Sequence, residues 1–158
     1  MKMFFRQRII SLLDSYDIYD ENGSTLFTVK GKFGLSHRFS IYDANDREVA
    51  YVEEKILTLL PKFSIHANGN DYGTINRKLS FFRPKYELES KGWSMNGDIF
   101  HWDYEIVDDN ERLIADVSKK IISLSDQYWI EVPDEKNALL ALLFVLAVDA
   151  DKCSTDNR

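Results

Sequence analysis

Residues 39–67, FSIYDANDREVAYVEEKILTLLPKFSIHA, lie without a gap on residues 104–132, YEIVDDNERLIADVSKKIISLSDQYWIEV. Ten of the 29 aligned positions are identical, where ordinary composition gives about two. They include Ile41/Ile106, Asp43/Asp108, Asn45/Asn110, Arg47/Arg112, Lys55/Lys120, Ile56/Ile121 and Leu59/Leu124. The chain therefore repeats itself, and the repeat decides the fold. Residues 50–67 match residues 73–90, sharing Pro61-Lys62-Phe63 and Pro84-Lys85-Tyr86, and residues 3–18 match residues 115–130. Residues 27–41 and 93–106 are more degenerate copies.

Each copy reads as two strands. An outgoing strand ends on a basic residue, an apolar connection follows, and an alternating strand such as Phe63-Ser-Ile65 or Tyr128-Trp-Ile130 returns. The link to the next copy is a polar turn: Asp20-Glu-Asn-Gly23, Asp43-Ala-Asn-Asp46, Asn68-Gly-Asn-Asp71 or Asp108-Asp-Asn110. Asp, Asn and Gly suit such turns because they accept positive φ or bond their own backbone. Six such units make about twelve antiparallel strands, too many for a flat open sheet. Closure into a barrel removes the edges. The expected fold is mainly β: a closed antiparallel β-barrel of about twelve strands.

One helix remains. Pro133-Asp-Glu-Lys136 supplies a break and an N-cap at Asp134, and residues 137–149 are apolar on every face. The run Ala138-Leu-Leu-Ala-Leu-Leu-Phe-Val-Leu-Ala-Val148 is 11 residues long, where a bilayer span needs about 20. No transmembrane segment is expected. The all-round apolar character favours a place inside the barrel over one across its mouth. Residues 1–150 are expected to form one domain, and residues 151–158 a polar tail without fixed structure.

Composition agrees. The chain has 158 residues, 44% hydrophobic, with 10 Phe, 8 Tyr and 3 Trp against 7 Gly and 3 Pro. Such a chain is neither disordered nor collagen-like. A net charge of −6 argues against a nucleic-acid binder driven by bulk positive charge. The single cysteine, Cys153, excludes a disulfide within the chain and a thiolate zinc site. Residues 1–8 carry no signal-peptide apolar stretch, and the expectation is a cytoplasmic protein, peripheral at a membrane if it meets one.

These residues resemble the LURP-one-related family, whose members adopt the tubby C-terminal fold shared with phospholipid scramblases. The resemblance runs from about Met3 to Ala150. It is carried by Gly97-Asp98 followed by Tyr104-Glu-Ile-Val-Asp108, by Val117-Ser-Lys-Lys120, by Asp126-Gln-Tyr128 and by the apolar helix closing on Asp149. It implies a closed twelve-stranded barrel threaded by a hydrophobic C-terminal helix. Tubby domains bind phosphoinositides and scramblases act at membranes, but the resemblance implies much less about activity than about fold. No tubby phosphoinositide-binding motif transfers to a position here, so the resemblance transfers no site residue; no scramblase calcium segment or membrane anchor is evident, which leaves lipid scrambling a less favoured alternative.

Candidate chemistry is sparse. There is no Gly-x-Ser-x-Gly, and His37, His66 and His101 lie in three different units without metal-ligand spacing. The acids Asp20, Asp43, Asp46, Asp98, Asp108 and Asp109 fall mainly at turns, where they serve backbone geometry, and no twelve-residue calcium loop is present. Arg47 and Arg112 are expected to pair with those turn acids. No enzyme activity, cofactor or metal is expected; a site assembled from distant residues is the least favoured alternative.

The repeat places Arg8, Lys32, Lys55, Lys78 and Lys120 at one equivalent position, the end of the outgoing strand. In an up-and-down barrel these ends share one rim, with Arg77, Lys119, Lys62, Arg83 and Lys85 nearby, and the acidic turns form the other. The expected function is a binding module taking an anionic phospholipid or phosphate-bearing ligand on that basic rim. The plainer alternative is that rim lysines keep strand ends soluble. A protein-interaction scaffold using the outer barrel surface is the second functional reading. Phe4-Phe5, Phe81-Phe82 and Trp93 are either barrel filling or exposed anchors.

Overall fold

The computed structural model describes residues 1–6, 15–32 and 36–156. Twelve strands follow in chain order: β1 (Lys2–Phe5), β2 (Ser15–Asp20), β3 (Thr25–Lys32), β4 (Arg38–Tyr42), β5 (Glu48–Glu54) and β6 (Lys62–Ala67). Then come β7 (Asn70–Lys78), β8 (Lys85–Leu88), β9 (Trp93–Asp98), β10 (Asp103–Val107), β11 (Leu113–Ile122) and β12 (Ser125–Glu131), and the helix α1 (Ala138–Asp156). Each strand pairs antiparallel with its neighbours in sequence, and β1 pairs with β12 from Lys2↔Glu131 to Phe5↔Tyr128, which closes the barrel.

The repeat is visible in the backbone. Residues 39–67 become β4–β6 and residues 104–132 become β10–β12, six strands on and so half-way round the wall. Both copies break register at the same place, Ile41/Tyr42 and Ile106/Val107, and β2 does so at Ile18/Tyr19. Each break feeds an aspartate turn of one design. Oδ1 of Asp20, Asp43 and Asp108 accepts from the backbone N–H two and four residues on: Asn22 and Ser24, Asn45 and Arg47, Asn110 and Arg112. The left-handed position goes to Gly23, Asp46 and Glu111, with φ of 84°, 57° and 60°. Arg47 and Arg112 pair with Asp43 and Asp108 at 2.8 and 3.2 Å.

Nine of the twelve strands bury a branched aliphatic side chain completely, and alternation puts most of its neighbours outside, Ser40 of β4 and Ser64 of β6 being buried exceptions. Ile18, Val29, Ile41, Val52, Ile65, Ile75, Leu88, Ile106 and Ile130 are fully buried, as are Leu142 to Ala147 on α1. A helix buried on every side within a closed wall runs through the barrel's interior. Asp134 accepts from Lys136 N–H at 3.1 Å ahead of it. Phe4, Phe5 and Trp93 are buried, so these aromatics belong to the packing, whereas Phe81 and Phe82 lie in solvent.

The expected polar tail is a correction. Residues 151–156 are the last turns of α1, and Asp151, Lys152 and Cys153 are buried. Partners from the wall explain it: the Tyr86 hydroxyl donates to Asp151, Arg77 lies 3.5 Å from the same carboxylate, and Lys152 Nζ donates to Ile99 O at 2.7 Å. Burial first, and then Asp151, pushes the Tyr86 phenol well up, which keeps it a neutral donor.

Candidate functional site

Because neighbouring strands alternate in direction, every outgoing strand β1, β3, β5, β7, β9 and β11 ends at one rim, where α1 also emerges. The aspartate turns lie at the other. That second rim carries a cavity of about 480 Å3 lined by Glu87, Glu89, Asp108, Asp109 and Glu111. The two ends of the barrel thus differ in charge.

The structure divides the seven basic positions. Arg8 lies outside the described residues. Lys32 and Lys78 end their strands at the expected rim and Lys120 lies two residues before the end of β11, but all three face outward and pair with acids on neighbouring elements. Lys32 lies 3.0 Å from Glu48, Lys78 2.8 Å from Glu89 and 3.6 Å from Glu87, and Lys120 3.3 Å from Glu131. The hydrogen bond from Glu89 holds the Lys78 ammonium pKa above its ordinary value. Lys119 pairs with Asp126 at 2.8 Å, and Arg77 turns inward to Asp151. Lys55 alone of the seven has no acidic partner among the described residues. A ring of uncompensated lysines is therefore not what the rim presents.

It presents an arc instead. Lys62 and Lys85 open β6 and β8, are exposed and have no ion-pair partner among the described residues. Lys85 sits directly across from Lys78, and Lys55 across from Lys62, where Lys55 N–H donates to Lys62 O at 2.8 Å. Like charges directly opposite across a ladder are destabilising. Four lysines between the end of β5 and the start of β8 thus stand as two like-charged pairs, in which Lys78 alone is compensated, by Glu89 and Glu87. Arg83 flanks them, 3.7 Å from Asp98. The repeated Pro-Lys-aromatic step is the sequence signal for Lys62 and Lys85: the ring goes inward, as Phe63 and Tyr86 do, and the lysine outward.

Beside this arc the barrel mouth holds a cavity of about 540 Å3. Arg77, Arg83, Phe81, Phe82 and Phe100 line its sides, and Asp151 and Ser154 of α1 lie at its base. A smaller hollow of about 300 Å3 adjoins it, bounded by His37, Glu54 and Lys55. The loops around both carry large apolar side chains in solvent, including Leu57, Leu59 and Leu79.

The remaining candidates stay apart. His37 contacts Glu54 at 2.7 Å, His101 contacts Asp98 at 2.7 Å, and His66 stacks on Tyr51. No group of three metal-ligating side chains occurs among the described residues, and no described helix is long and apolar enough to cross a membrane.

Comparison with known proteins returns one consistent picture. A family model described as LURP-one-related matches residues 1–149. The uncharacterized protein YxjI of Bacillus subtilis (strain 168) is 26% identical over 150 residues, covering 94% of this chain and 92% of its own length. Among solved structures, an X-ray structure of an Arabidopsis thaliana protein superposes with a TM-score of 0.65 at 18% identity, covering 95% of this chain and 91% of that one. At that identity the likeness speaks for the fold.

Proposed function

The chain belongs to the LURP-one-related family, and on that premise we propose that this tubby-like domain is a non-enzymatic module that binds an anionic, phosphate-bearing ligand, foremost a phospholipid headgroup, at the loop end of its barrel. The observation that carries the reading is the arc Lys55, Lys62, Lys78 and Lys85, two like-charged pairs facing each other across β5–β6 and β7–β8. Lys55, Lys62 and Lys85 have no ion-pair partner among the described residues, so an anion placed among them gains charge-assisted contacts that the free protein does not supply. The opposite rim, where Asp108, Asp109 and Glu111 line a cavity, repels the same ligand, so binding is confined to one end. The protein then works as a peripheral component at the cytoplasmic face of a membrane.

Sedimentation with phosphatidylglycerol- or phosphoinositide-containing vesicles tests this. Reversing Lys55, Lys62 and Lys85 to Glu is expected to weaken binding by at least about fivefold per lysine, since each lysine's attraction to an anionic surface is ~1 kcal/mol and the glutamate adds repulsion. Lys120→Glu, whose lysine is already held by Glu131, is expected to cost less. A wild-type protein that sediments with neither vesicle rejects the reading.

A further inference from the structure

Three of the loops at this rim spell one pattern: a cation, an aliphatic residue directly after it, and a large apolar residue four positions on. They are Lys55-Ile56-Leu57-Thr58-Leu59, Lys78-Leu79-Ser80-Phe81-Phe82 and Lys120-Ile121-Ile122-Ser123-Leu124. Arg8-Ile9-Ile10-Ser11-Leu12 spells it again in sequence, outside the described residues. The aliphatic second positions Ile56, Leu79 and Ile121 are 55%, 86% and 74% exposed, and the fifth positions Leu59, Phe82 and Leu124 are 100%, 95% and 101% exposed. Nothing in the barrel's packing holds these side chains. A repeat keeps its inward residues because the core needs them; these outward ones recur without that reason.

The backbone adds a second observation. Leu57 and Leu124 sit at φ of 58° and 67°. That left-handed conformation carries a steric cost for leucine that glycine avoids and asparagine tolerates better. A turn chosen for its own stability would carry one of those residues. Ten of the twelve exposed large hydrophobic residues among the described ones lie at this end; Met1 and Leu113 are the exceptions.

We infer that the loop end docks on an anionic bilayer with these apolar tips inserted at the boundary of headgroups and acyl chains. The inference rests on the phosphate-binding reading above and deepens it. The tips sit on separate hairpins, β5–β6, β7–β8 and, half-way round the wall, β11–β12. A planar fluid phase accepts apolar groups spread in this way, whereas a folded partner would need a matching pocket for each. Each tip follows a cation by a few residues, which sets ammonium groups level with phosphates while the side chains beyond them leave water. The barrel then stands end-on, its acidic turns directed away from the anionic surface, and α1 stays inside the wall.

The test separates tips from lysines. One variant combines Leu57→Asn, Leu59→Ser, Phe81→Ser, Phe82→Ser and Leu124→Asn, which removes apolar surface, leaves every charge and suits the left-handed positions. Binding to phosphatidylglycerol vesicles is expected to fall about tenfold or more. Calorimetric binding of soluble glycerophosphoglycerol, the same headgroup without acyl chains, is expected to match wild type. In a second variant, Phe82→Trp, the added emission is expected to be quenched by lipids brominated on the acyl chain. Equal vesicle binding by wild type and the tip variant, with no such quenching, overturns insertion and leaves the headgroup reading standing. Loss of both vesicle and glycerophosphoglycerol binding in wild type overturns both. A wild type that self-associates in the ultracentrifuge and ignores vesicles, beside a monomeric tip variant, makes the rim a protein interface and overturns the inference.

Discussion

The Asp108 carboxyl accepts the backbone N–H groups of Asn110 and Arg112 and sits 3.2 Å from the Arg112 guanidinium. Asp43 does the same for its own copy of the turn. The backbone hydrogen bond from Arg112 foremost, and from Arg47 for Asp43, holds each carboxyl pKa below the ordinary aspartate value. A pKa lower in the folded than in the unfolded state contributes stability that is present above the unfolded value and is lost as pH falls through the folded one. Thermal unfolding followed from neutral pH down to about pH 3 is thus expected to show a decline beginning near pH 4. The double variant Asp43→Asn, Asp108→Asn keeps the Oδ1 acceptors and is expected to flatten part of that decline; an unchanged slope would assign it elsewhere. Gly97 is a different kind of constraint. Its φ is +124°, and a Cβ there would lie 2.5 Å from Asp103 O and 2.7 Å from Tyr104 Cα. Gly97→Ala is expected to cost roughly 2–4 kcal/mol by denaturant unfolding.

Among elements, α1 is the one on which the rest depend. Leu143 is fully buried within it, so Leu143→Ala is expected to cost about 2–5 kcal/mol. Leu143→Asp is expected to yield no folded protein by circular dichroism; a stable, soluble variant would place the helix outside the core. The sequence shows where this helix begins, because Asp134 and the apolar run are local signals. Its end is not legible. Asp149, Asp151 and Lys152 read as a polar stop, and only residues far along the chain, Tyr86 and Ile99, turn two of these charges into buried, bonded groups. Strand count and closure are legible because each copy carries its own turn and its own alternation. The rim lysines are legible as to end and not as to partner, since Lys32 meets Glu48 only once β3, β4 and β5 are side by side.

For the whole molecule, the consequence of alternating strands is two ends with separate characters. A strand of seven residues such as β5 spans about 23 Å, more than twice the Debye length of ~8–10 Å at physiological salt. Charges on the acidic-turn rim are therefore screened from a surface touching the loops. Lys91→Glu and Lys136→Glu, both near that rim, are expected to leave vesicle binding within about twofold of wild type. Weakening as large as that from Lys55→Glu would mean that the protein lies on its side.

Closure by β1 against β12 carries one more consequence, for the order of events as the chain leaves the ribosome. Lys2 waits for Glu131, and the Met1 ammonium for Val132 O, 2.7 Å away in the finished wall. The helix that fills the interior follows later still. Twelve strands are thus synthesised before the side chains they are meant to cover exist, and their inward rows of Ile, Val and Phe have only one another until residues 138–156 emerge. A nascent chain stopped before Ala138 is all wall and no filling, and it exposes to the cell the surface that the complete protein hides.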